Sequence, residues 1–305
     1  MRLSTGLVAS IVWLLVSGCA WGTDTGSRMK INLLGTGTPF PSAERFGPAI
    51  LVEAGTKKLL FDCGRGVVIR LVGAGVNPEE IDGVYLTHLH SDHVTGIPDL
   101  WLTGWFLGRK EPVRVWGPPG TREMGEHLVK AFRFDVQTRV TTEALPVNGA
   151  GLDTHDIEQG KVYDDGSVRV TAFTVDHGPV KPALGYRIDH AGHSVVVSGD
   201  TKFSQNLIKF AKSTDCLIHV AWKVGANNPT PPALRSIASA EDAGLVFATV
   251  HPRLAVVYHY KDEEGLASAI RNRYSGPFVV AKDLMTIGID RTITWNNGTV
   301  KGTVE

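Results

Sequence analysis

Short apolar segments alternate with glycine-rich turns along the chain, a pattern that predicts many strands interrupted by helices. Strands are expected where brief apolar or β-branched runs lie between turn residues, and helices where apolar residues recur at helical spacing. The predicted strands are 31–34, 49–53, 58–61, 84–87, 113–116, 168–175, 183–188, 194–198, 216–220, 254–259, 278–280 and 287–293, with a hairpin turn at 190–193. The predicted helices are 67–73, 122–134, 203–211, 239–249 and 266–274. This mixture indicates a layered α/β fold.

The N-terminal segment has a different character from the rest of the chain. An apolar run at 7–16, too short to span a bilayer, ends at Gly18 and Cys19 in a sequence that resembles a bacterial lipobox. Cleavage after Ala20 and an uncleaved anchor are the alternatives. We therefore expect a signal peptide at 1–19, with Cys19 a candidate for lipidation, a polar tether at 20–28 and a folded domain at 29–305. The protein is expected to be exported, either periplasmic or anchored to the membrane as a lipoprotein.

Composition narrows the possible partners and the cysteine chemistry. Lys and Arg together number 31, as do Asp and Glu, so no overall basic character favours nucleic acid, and none is expected as a partner. In the predicted domain, Cys63 and Cys216 both lie in apolar sequence, which predicts buried free thiols rather than a disulfide framework.

A cluster of potential metal ligands directly follows the predicted strand 84–87. Imidazole and carboxylate groups suit Zn(II) and similar ions, whereas a polar loop with coincidental histidines is the alternative. The cluster consists of His88, His90, Asp92 and His93. A catalytic metal site needs further ligands from distant strands, and three candidates follow strand ends: His177, Asp200 and His259.

The order of these seven residues resembles the metallo-β-lactamase superfamily, in which His-x-His-x-Asp-His precedes a His, an Asp and a final His. Segments 34–39, 61–64, 177–187 and 198–201 are similar to the branch that holds ribonuclease Z, arylsulfatase-like enzymes and ribonuclease Z-like class B3 β-lactamases. The resemblance covers nearly all of 29–305. It implies an αββα sandwich of two mixed β-sheets flanked by helices, and it is compatible with a dimer.

The resemblance also implies two divalent metal ions, with Zn(II) the expected metal. One ion would be held by His88, His90 and His177. The other would be held by Asp92, His93 and His259, with Asp200 bridging both. A hydroxide between the ions would be the nucleophile, and Asp92 would orient it and take its proton. Asp62 either supports a ligand histidine or caps a turn.

Departures from ribonuclease Z argue against tRNA as the substrate. The interval from His177 to Asp200 is 200 − 177 = 23 residues, too short for that enzyme's tRNA-clamping arm. Val220 and Ile237 stand where relatives carry a Glu and a His that assist the leaving group, an effect typically worth about 10²–10⁴-fold. Whether their loss impairs catalysis is left open. His219 is either a catalytic acid that reaches the site or a hydrogen-bonded core residue.

Several neighbouring residues bear on the substrate. Trp101 and Trp105 have the spacing of a packed helix face, although one of them could edge a pocket. Lys181 and Lys202 could meet an anionic group, and the loop 223–232 is a candidate lid. The leading hypothesis is an exported hydrolase of a small phosphate or sulfate ester. The alternatives are a β-lactam or lactone hydrolase and a non-catalytic metal-binding protein.

Overall fold

The computed structural model describes residues 28–222 and 236–305, and within these ranges the strands form two sheets. The first sheet contains β1 (Met29–Gly35), β2 (Ala49–Ala54), β3 (Lys57–Phe61), β4 (Gly83–Tyr85), β5 (Val113–Gly117), β6 (Leu152–Asp156), β14 (Met285–Ile289), β15 (Ile293–Asn296) and β16 (Lys301–Val304). The second contains β7 (Gly160–Asp164), β8 (Val168–His177), β9 (Val180–His190), β10 (His193–Val197), β11 (Cys216–Val220), β12 (Leu254–Tyr258) and β13 (Phe278–Val280). Their spatial orders are β16-β15-β14-β1-β2-β3-β4-β5-β6 and β13-β12-β11-β10-β9-β8-β7.

Helices cover the outer faces of both sheets. They are α1 (Val67–Gly73), α2 (Ser91–Val94), α3 (Ile97–Phe106), α4 (Thr121–Ala131), α5 (Arg133–Thr142), α6 (Gln205–Ala211), α7 (Ala240–Val250) and α8 (Leu266–Arg271). Short 3₁₀ turns lie at Pro78–Glu80 and Asn148–Ala150. Among the helices of the described ranges, none has both the length and the apolar character needed to cross a membrane.

Three apolar clusters explain why the sheets and helices form four layers. Ile31 and Val52 of the first sheet share one buried cluster with Tyr186 and Val256 of the second, so the sheets pack face to face. A second cluster joins the first sheet to α1 and α3, and a third joins the second sheet to α6, α7 and α8. The expected αββα sandwich is therefore confirmed. Both sheets are mixed, with parallel and antiparallel pairs.

Local sequence explains several element boundaries. Ser239 and Asp242 form a capping box at the start of α7, which satisfies backbone groups that a helix end leaves unpaired. The hairpin turn at 190–193 is confirmed: Ala191 and Gly192 both have positive φ, as a tight turn between twisted strands requires.

Other sequence predictions need correction or gain support. The single strand predicted at 287–293 is wrong, because the chain turns after β14, where Asp290 N–H donates to Thr292 O, and returns as β15. Strands β6, β7 and β16 and helix α5 were not predicted. Cys63 and Cys216 are buried free thiols, as expected.

Candidate metal centre

The seven predicted ligands come from four strand ends that meet at one edge of the sandwich. The first four follow β4, His177 is the last residue of β8, and Asp200 and His259 follow β10 and β12. Because β10 and β12 both run parallel to β11 between them, their carboxyl ends lie on the same side of the sheet. The fold thus brings residues that are up to 171 positions apart in the chain into one cluster (259 − 88).

Three histidines form the first group. His88 Nε2 lies 2.9 Å from His90 Nδ1, and His177 Nε2 lies 3.4 Å from the same His90 atom. Ring nitrogens that face one another this closely have the arrangement of ligands around a common ion. His88 and His177 are buried, whereas His90 is exposed, so this side of the cluster opens to solvent.

Asp92, His93 and His259 form the second group. His93 Nε2 is 3.6 Å from Asp92 Oδ2, and His259 Nε2 is 3.8 Å from the same oxygen. All three side chains are buried.

Asp200 lies between the two groups. Its Oδ2 is 3.9 Å from His177 Nε2 in the first group and 3.2 Å from His259 Nε2 in the second, and its Oδ1 is 3.7 Å from His93 Nε2. A single carboxylate therefore reaches both groups, which is the arrangement expected of a residue shared between two sites.

Hydrogen bonds on the far side of the rings fix their orientation. His259 Nδ1–H donates to Gly37 O at 2.6 Å, and His177 Nδ1–H donates to Ser236 O at 2.8 Å. His88 Nδ1–H donates to the hydroxyl of Thr87 at 3.0 Å. Each of these bonds leaves Nε2 directed into the cluster, which is how proteins fix a ligand histidine. Sequence reasoning did not identify Gly37 or Ser236, since backbone carbonyls carry no residue-type signal.

Asp62 supports the metal loop from below. Its carboxylate lies 2.8 Å from His93 Nδ1 and accepts hydrogen bonds from the Thr87 backbone at 2.8 Å and the Thr87 hydroxyl at 3.0 Å. Of the two interpretations offered for Asp62, support of a ligand histidine is the one the contacts favour. The same carboxylate reaches His88 indirectly, through Thr87.

Four buried polar atoms that face the cluster have no hydrogen-bond partner among the described residues. They are Asp92 Oδ2, His93 Nε2, Asp200 Oδ1 and His259 Nε2. Buried polar groups are nearly always satisfied, and leaving one unpaired costs about 1–3 kcal/mol. Divalent cations would satisfy all four, because carboxylate oxygens and imidazole nitrogens are the ligands that zinc and similar ions use. The residues present therefore fit divalent metal ions.

Electrostatics within the cluster point the same way. Burial lowers the pKa of His88, and neighbouring histidines lower it further, which keeps the ring neutral as a ligand must be. Burial also opposes protonation of His93, but Asp62 and Asp200 outweigh it and raise the pKa of His93 to about 10. Burial would raise the pKa of Asp200, yet His259 and His93 hold it well below its ordinary value. The buried carboxylates of Asp62 and Asp200 thus supply negative charge that favours a positive group at His93.

Of the two interpretations of His219, the contacts favour a hydrogen-bonded core residue, which lies on the helix side of β11. Its strand neighbours Leu217 and Ala221 pack in the cluster beneath the helices, and the His219 ring lies 5.9 Å from Phe247 of α7. Nδ1–H donates to Val220 O, and Nε2 is buried with no partner in the ranges 28–222 and 236–305. Burial lowers the pKa of His219 to about 4. These are packing contacts on the helix side of β11, and a catalytic role for His219 stays a prediction that they do not support.

Other predicted substrate residues are dispersed. Trp101 and Trp105 are buried, and their indole N–H groups donate to Ala150 O and Pro146 O, so both pack as expected. Lys202 pairs with Asp176 at 3.0 Å rather than meeting the cluster. Lys181 lines a cavity of about 590 Å³ beside the turn after His177. The predicted lid at 223–232, like the signal peptide and Cys19, lies outside the described residues.

An aromatic pair near His259 escaped the sequence analysis. Trp222 donates its indole N–H to His259 O at 2.7 Å, and its ring lies 6.5 Å from that of Phe40. Phe40 is 55% exposed, which is unusual for a large apolar side chain at a polar cluster. The only local signal was its position between Pro39 and Pro41, which indicates a rigid turn.

Comparison with known proteins identifies the family. The family model described as anti-Pycsar protein Apyc1 matches residues 29–224. A ribonuclease Z of Mycolicibacterium gilvum (strain PYR-GCK) is 39% identical over 194 residues, covering 63% of this chain and 68% of that protein. A ribonuclease Z of Mycobacterium avium (strain 104) is 33% identical over 277 residues, covering 86% and 99%. The chain belongs to the Apyc1 family, within the ribonuclease Z-like branch of the metallo-β-lactamase superfamily.

Solved structures of metallo-β-lactamase proteins share the fold. The metallo-β-lactamase-fold protein YhfI from Bacillus subtilis has a TM-score of 0.70 at 22% identity, covering 86% of this chain and all of that one. Human tRNase Z, short form, has a TM-score of 0.66 at 21% identity, covering 85% and 98%. Like other members of this superfamily, the chain is a metal-binding hydrolase by homology, which confirms the enzyme class that the sequence predicted.

Proposed function

We propose that this protein is a binuclear metallohydrolase that cleaves a small phosphate ester. The observation that carries the proposal is the pair of ligand groups joined by Asp200, with four buried polar atoms turned inward and unpaired. His88, His90 and His177 would hold one ion. Asp92, His93 and His259 would hold the other, and Zn(II) suits this set of nitrogen and oxygen ligands.

When bound, two such ions supply an activated water nucleophile and neutralise charge that develops on the substrate. The chain's own residues perform the remaining tasks. Asp200 keeps the two groups at a fixed separation, and the far-side hydrogen bonds hold each ring in place. Asp92 would help to hold the second ion through Oδ2, which faces His93 and His259, and its carboxylate would orient the attacking water and take its proton.

Cleavage at phosphorus is supported by what the relatives are called. Proteins named ribonuclease Z are among the relatives, and a diphosphatase from the PhnP family shares the fold, with a TM-score of 0.65 at 16% identity. The name ribonuclease Z denotes an enzyme that acts on RNA. The expectation that this protein has no nucleic acid partner therefore differs from what that name says of the relatives. We favour a small ester because β9, a two-residue turn and β10 fill the stretch from His177 to Asp200, with no inserted arm.

One observation favours the second candidate, hydrolysis of a β-lactam or lactone. Val220 and Ile237 both pack in the apolar core between the sheets, so the positions where relatives carry Glu and His supply no proton donor. A strained ring needs less help with its leaving group than an ordinary ester does. Sulfate esters are the other ester class that the sequence suggested, and one is included among the test substrates.

A substrate panel tests these alternatives. Purified protein loaded with Zn(II) or Mn(II) would be assayed on bis-p-nitrophenyl phosphate, p-nitrophenyl sulfate, nitrocefin and an acyl lactone. We expect turnover of the phosphodiester that Asp200→Ala abolishes and the exposed control Asp262→Ala retains. Turnover of nitrocefin or the lactone alone would favour the second candidate. Two bound ions without turnover of any substrate would favour a non-catalytic metal protein.

We also propose that the protein is exported, on the basis of the apolar run at 7–16 and the lipobox-like sequence ending at Cys19. Cell fractionation with the full chain and its Cys19→Ser variant tests this. A lipoprotein would be found in the membrane fraction, and the variant would be soluble in the periplasm. Recovery of both chains from the cytoplasm would contradict export.

A further inference from the structure

A carboxylate in the chain segment between β13 and β14 supports the second ligand group indirectly, through hydrogen bonds to the segment that contacts His259. We infer that Asp283 is a positioning residue for the ion held by His259, and this inference rests on the proposed two-ion centre. Asp283 Oδ1 accepts hydrogen bonds from both the backbone N–H and the hydroxyl of Thr36, each at 2.8 Å. Oδ2 accepts one from Phe46 N–H, also at 2.8 Å. One side chain therefore joins the two ends of the segment 36–46.

That segment carries the carbonyl on which His259 depends. Gly37 N–H donates to Phe46 O at 2.8 Å, and Gly37 O accepts the 2.6 Å bond from His259 Nδ1. Gly37 is packed so closely that a Cβ there would lie 2.6 Å from Phe46 O. The position of Gly37 O is thus set by its neighbours Thr36 and Phe46, and both of these are held by Asp283.

The Asp283 carboxylate is built into the structure rather than tolerated at its surface. Its side chain is 6% exposed, and Arg70 Nη2 lies 3.2 Å from Oδ2. The Arg70 guanidinium also sits 4.0 Å from the centre of the Phe46 ring and donates to Glu44 O at 2.9 Å. A buried carboxylate is costly unless it is paired and hydrogen-bonded, and every one of these contacts leads back to segment 36–46.

The same segment grips the chain just beyond His259. Arg45 Nη1 donates to Tyr260 O at 2.5 Å, and its guanidinium lies 4.3 Å from the centre of the Tyr260 ring. His259 itself has a positive φ of 51°, a conformation that a side chain rarely adopts without support from its surroundings. Segment 36–46 therefore contacts both the His259 ring and the backbone that follows it.

The first ligand group is independent of this arrangement. His88 and His177 donate their far-side hydrogen bonds to Thr87 and Ser236, which lie outside segment 36–46. Loss of Asp283 should consequently weaken one ion and spare the other. Supporting partners of ligand histidines typically affect metal affinity by about 10–100-fold.

Metal titration of the metal-free full chain tests the inference. Zn(II) affinity would be measured by competition with a chromophoric chelator for the wild type, Asp283→Asn and the exposed control Asp262→Asn. Co(II) absorption would report the two ligand groups separately. In Asp283→Asn we expect the second ion to bind about 10–100-fold more weakly and the first to bind as in the wild type. Thr36→Val, which removes only the hydroxyl bond, should give a smaller loss on the same ion, and it serves if Asp283→Asn fails to fold.

Equal weakening of both ions, or of neither, with wild-type stoichiometry of two, would overturn the role of Asp283 while leaving the proposed function intact. A wild-type stoichiometry of one would overturn the two-ion centre itself, and the inference with it. A urea unfolding midpoint for each metal-free variant separates loss of the second ion from general instability. Asp283→Asn that binds one ion normally while unfolding near the wild-type midpoint would support the inference.

Discussion

Two parts of the candidate metal centre, the loop 88–93 and His259, are held in different ways. The loop 88–93 is supported by Asp62, which lies 31 residues from His93 and contacts it from a neighbouring strand of the same sheet. His259 is supported by Gly37, which lies 222 residues away and follows a strand of the opposite sheet. The loop 88–93 is therefore supported by a residue that is near it in the chain and in the same sheet. The support of His259 forms only when the two sheets pack together, so His259 should be the more easily displaced.

Asp200 should produce the largest effect, because it lies between the two ligand groups. Asp200→Ala removes the carboxylate that lies within 4 Å of His177 and His259. We expect activity on the best panel substrate to fall by about 10²–10³-fold, the scale of losing one preorganised electrostatic group. Steady-state kinetics at saturating Zn(II) measure it. Retention of more than a tenth of the activity would argue against a shared carboxylate.

Asp62 tests whether the loop 88–93 depends on a single supporting carboxylate. Asp62→Asn keeps the size of the side chain but removes the charge that faces His93 and Thr87. Since these neighbours serve both ligand groups, both ions should bind about 10–100-fold more weakly. Asp283→Asn should affect one ion alone. The two variants therefore distinguish the support of the loop 88–93 from the support of His259. Chelator competition measures both, and selective loss of a single ion in Asp62→Asn would contradict the comparison.

His219 tests the packing of the second sheet, which carries His259. Its folded pKa of about 4 lies below the ordinary value of 6.5, so between these values the unfolded chain binds a proton that the folded chain refuses. The contribution of His219 to stability should therefore be complete above pH 6.5 and decline as the pH falls toward 4. At pH 5 the loss from this group is about 2 kcal/mol, given about 1.4 kcal/mol per pKa unit.

His219→Leu should remove that decline. Urea unfolding at pH 7 and pH 5 measures it, with the exposed His127→Gln as the control that retains the wild-type slope. Activity in the same variant addresses the catalytic prediction. A packing role leaves turnover largely intact, whereas a general acid would cost about 10²–10⁴-fold. Equal pH slopes for wild type and His219→Leu would show that this ring does not titrate as described.

Phe40 should have the smallest effect. Its exposed ring lies at the rim formed with Trp222, and Lys261 Nζ sits 4.9 Å from the ring centre. If the substrate contacts this rim, Phe40→Ala should raise KM about fivefold with kcat unchanged, in line with about 1 kcal/mol for an aromatic contact. Phe134→Ala, at an exposed residue of α5, is the matched control. An unchanged KM would remove Phe40 from the substrate site.

The sequence predicted strong local patterns well. Helix Val67–Gly73 and strand Cys216–Val220 have the bounds that their apolar patterns indicated. Strands β6 and β7 were missed because they carry charged and partly exposed residues with little apolar alternation. The strand predicted at 287–293 contains a turn, where the three polar residues Asp290, Arg291 and Thr292 interrupt the apolar run.

By itself, the sequence determined which side chains can bind metal, because four potential ligands within six residues after a strand form a dense local signal. It also determined the layered fold, since apolar periodicity reports which faces are buried. Only the tertiary structure decided what holds those ligands. Gly37 O, Ser236 O and Asp283 act through backbone groups and long-range contacts, and such contacts depend on how the two sheets close. The position of His219 on the helix side of β11 was decided in the same way, because strand alternation assigns a face only once its neighbours are known.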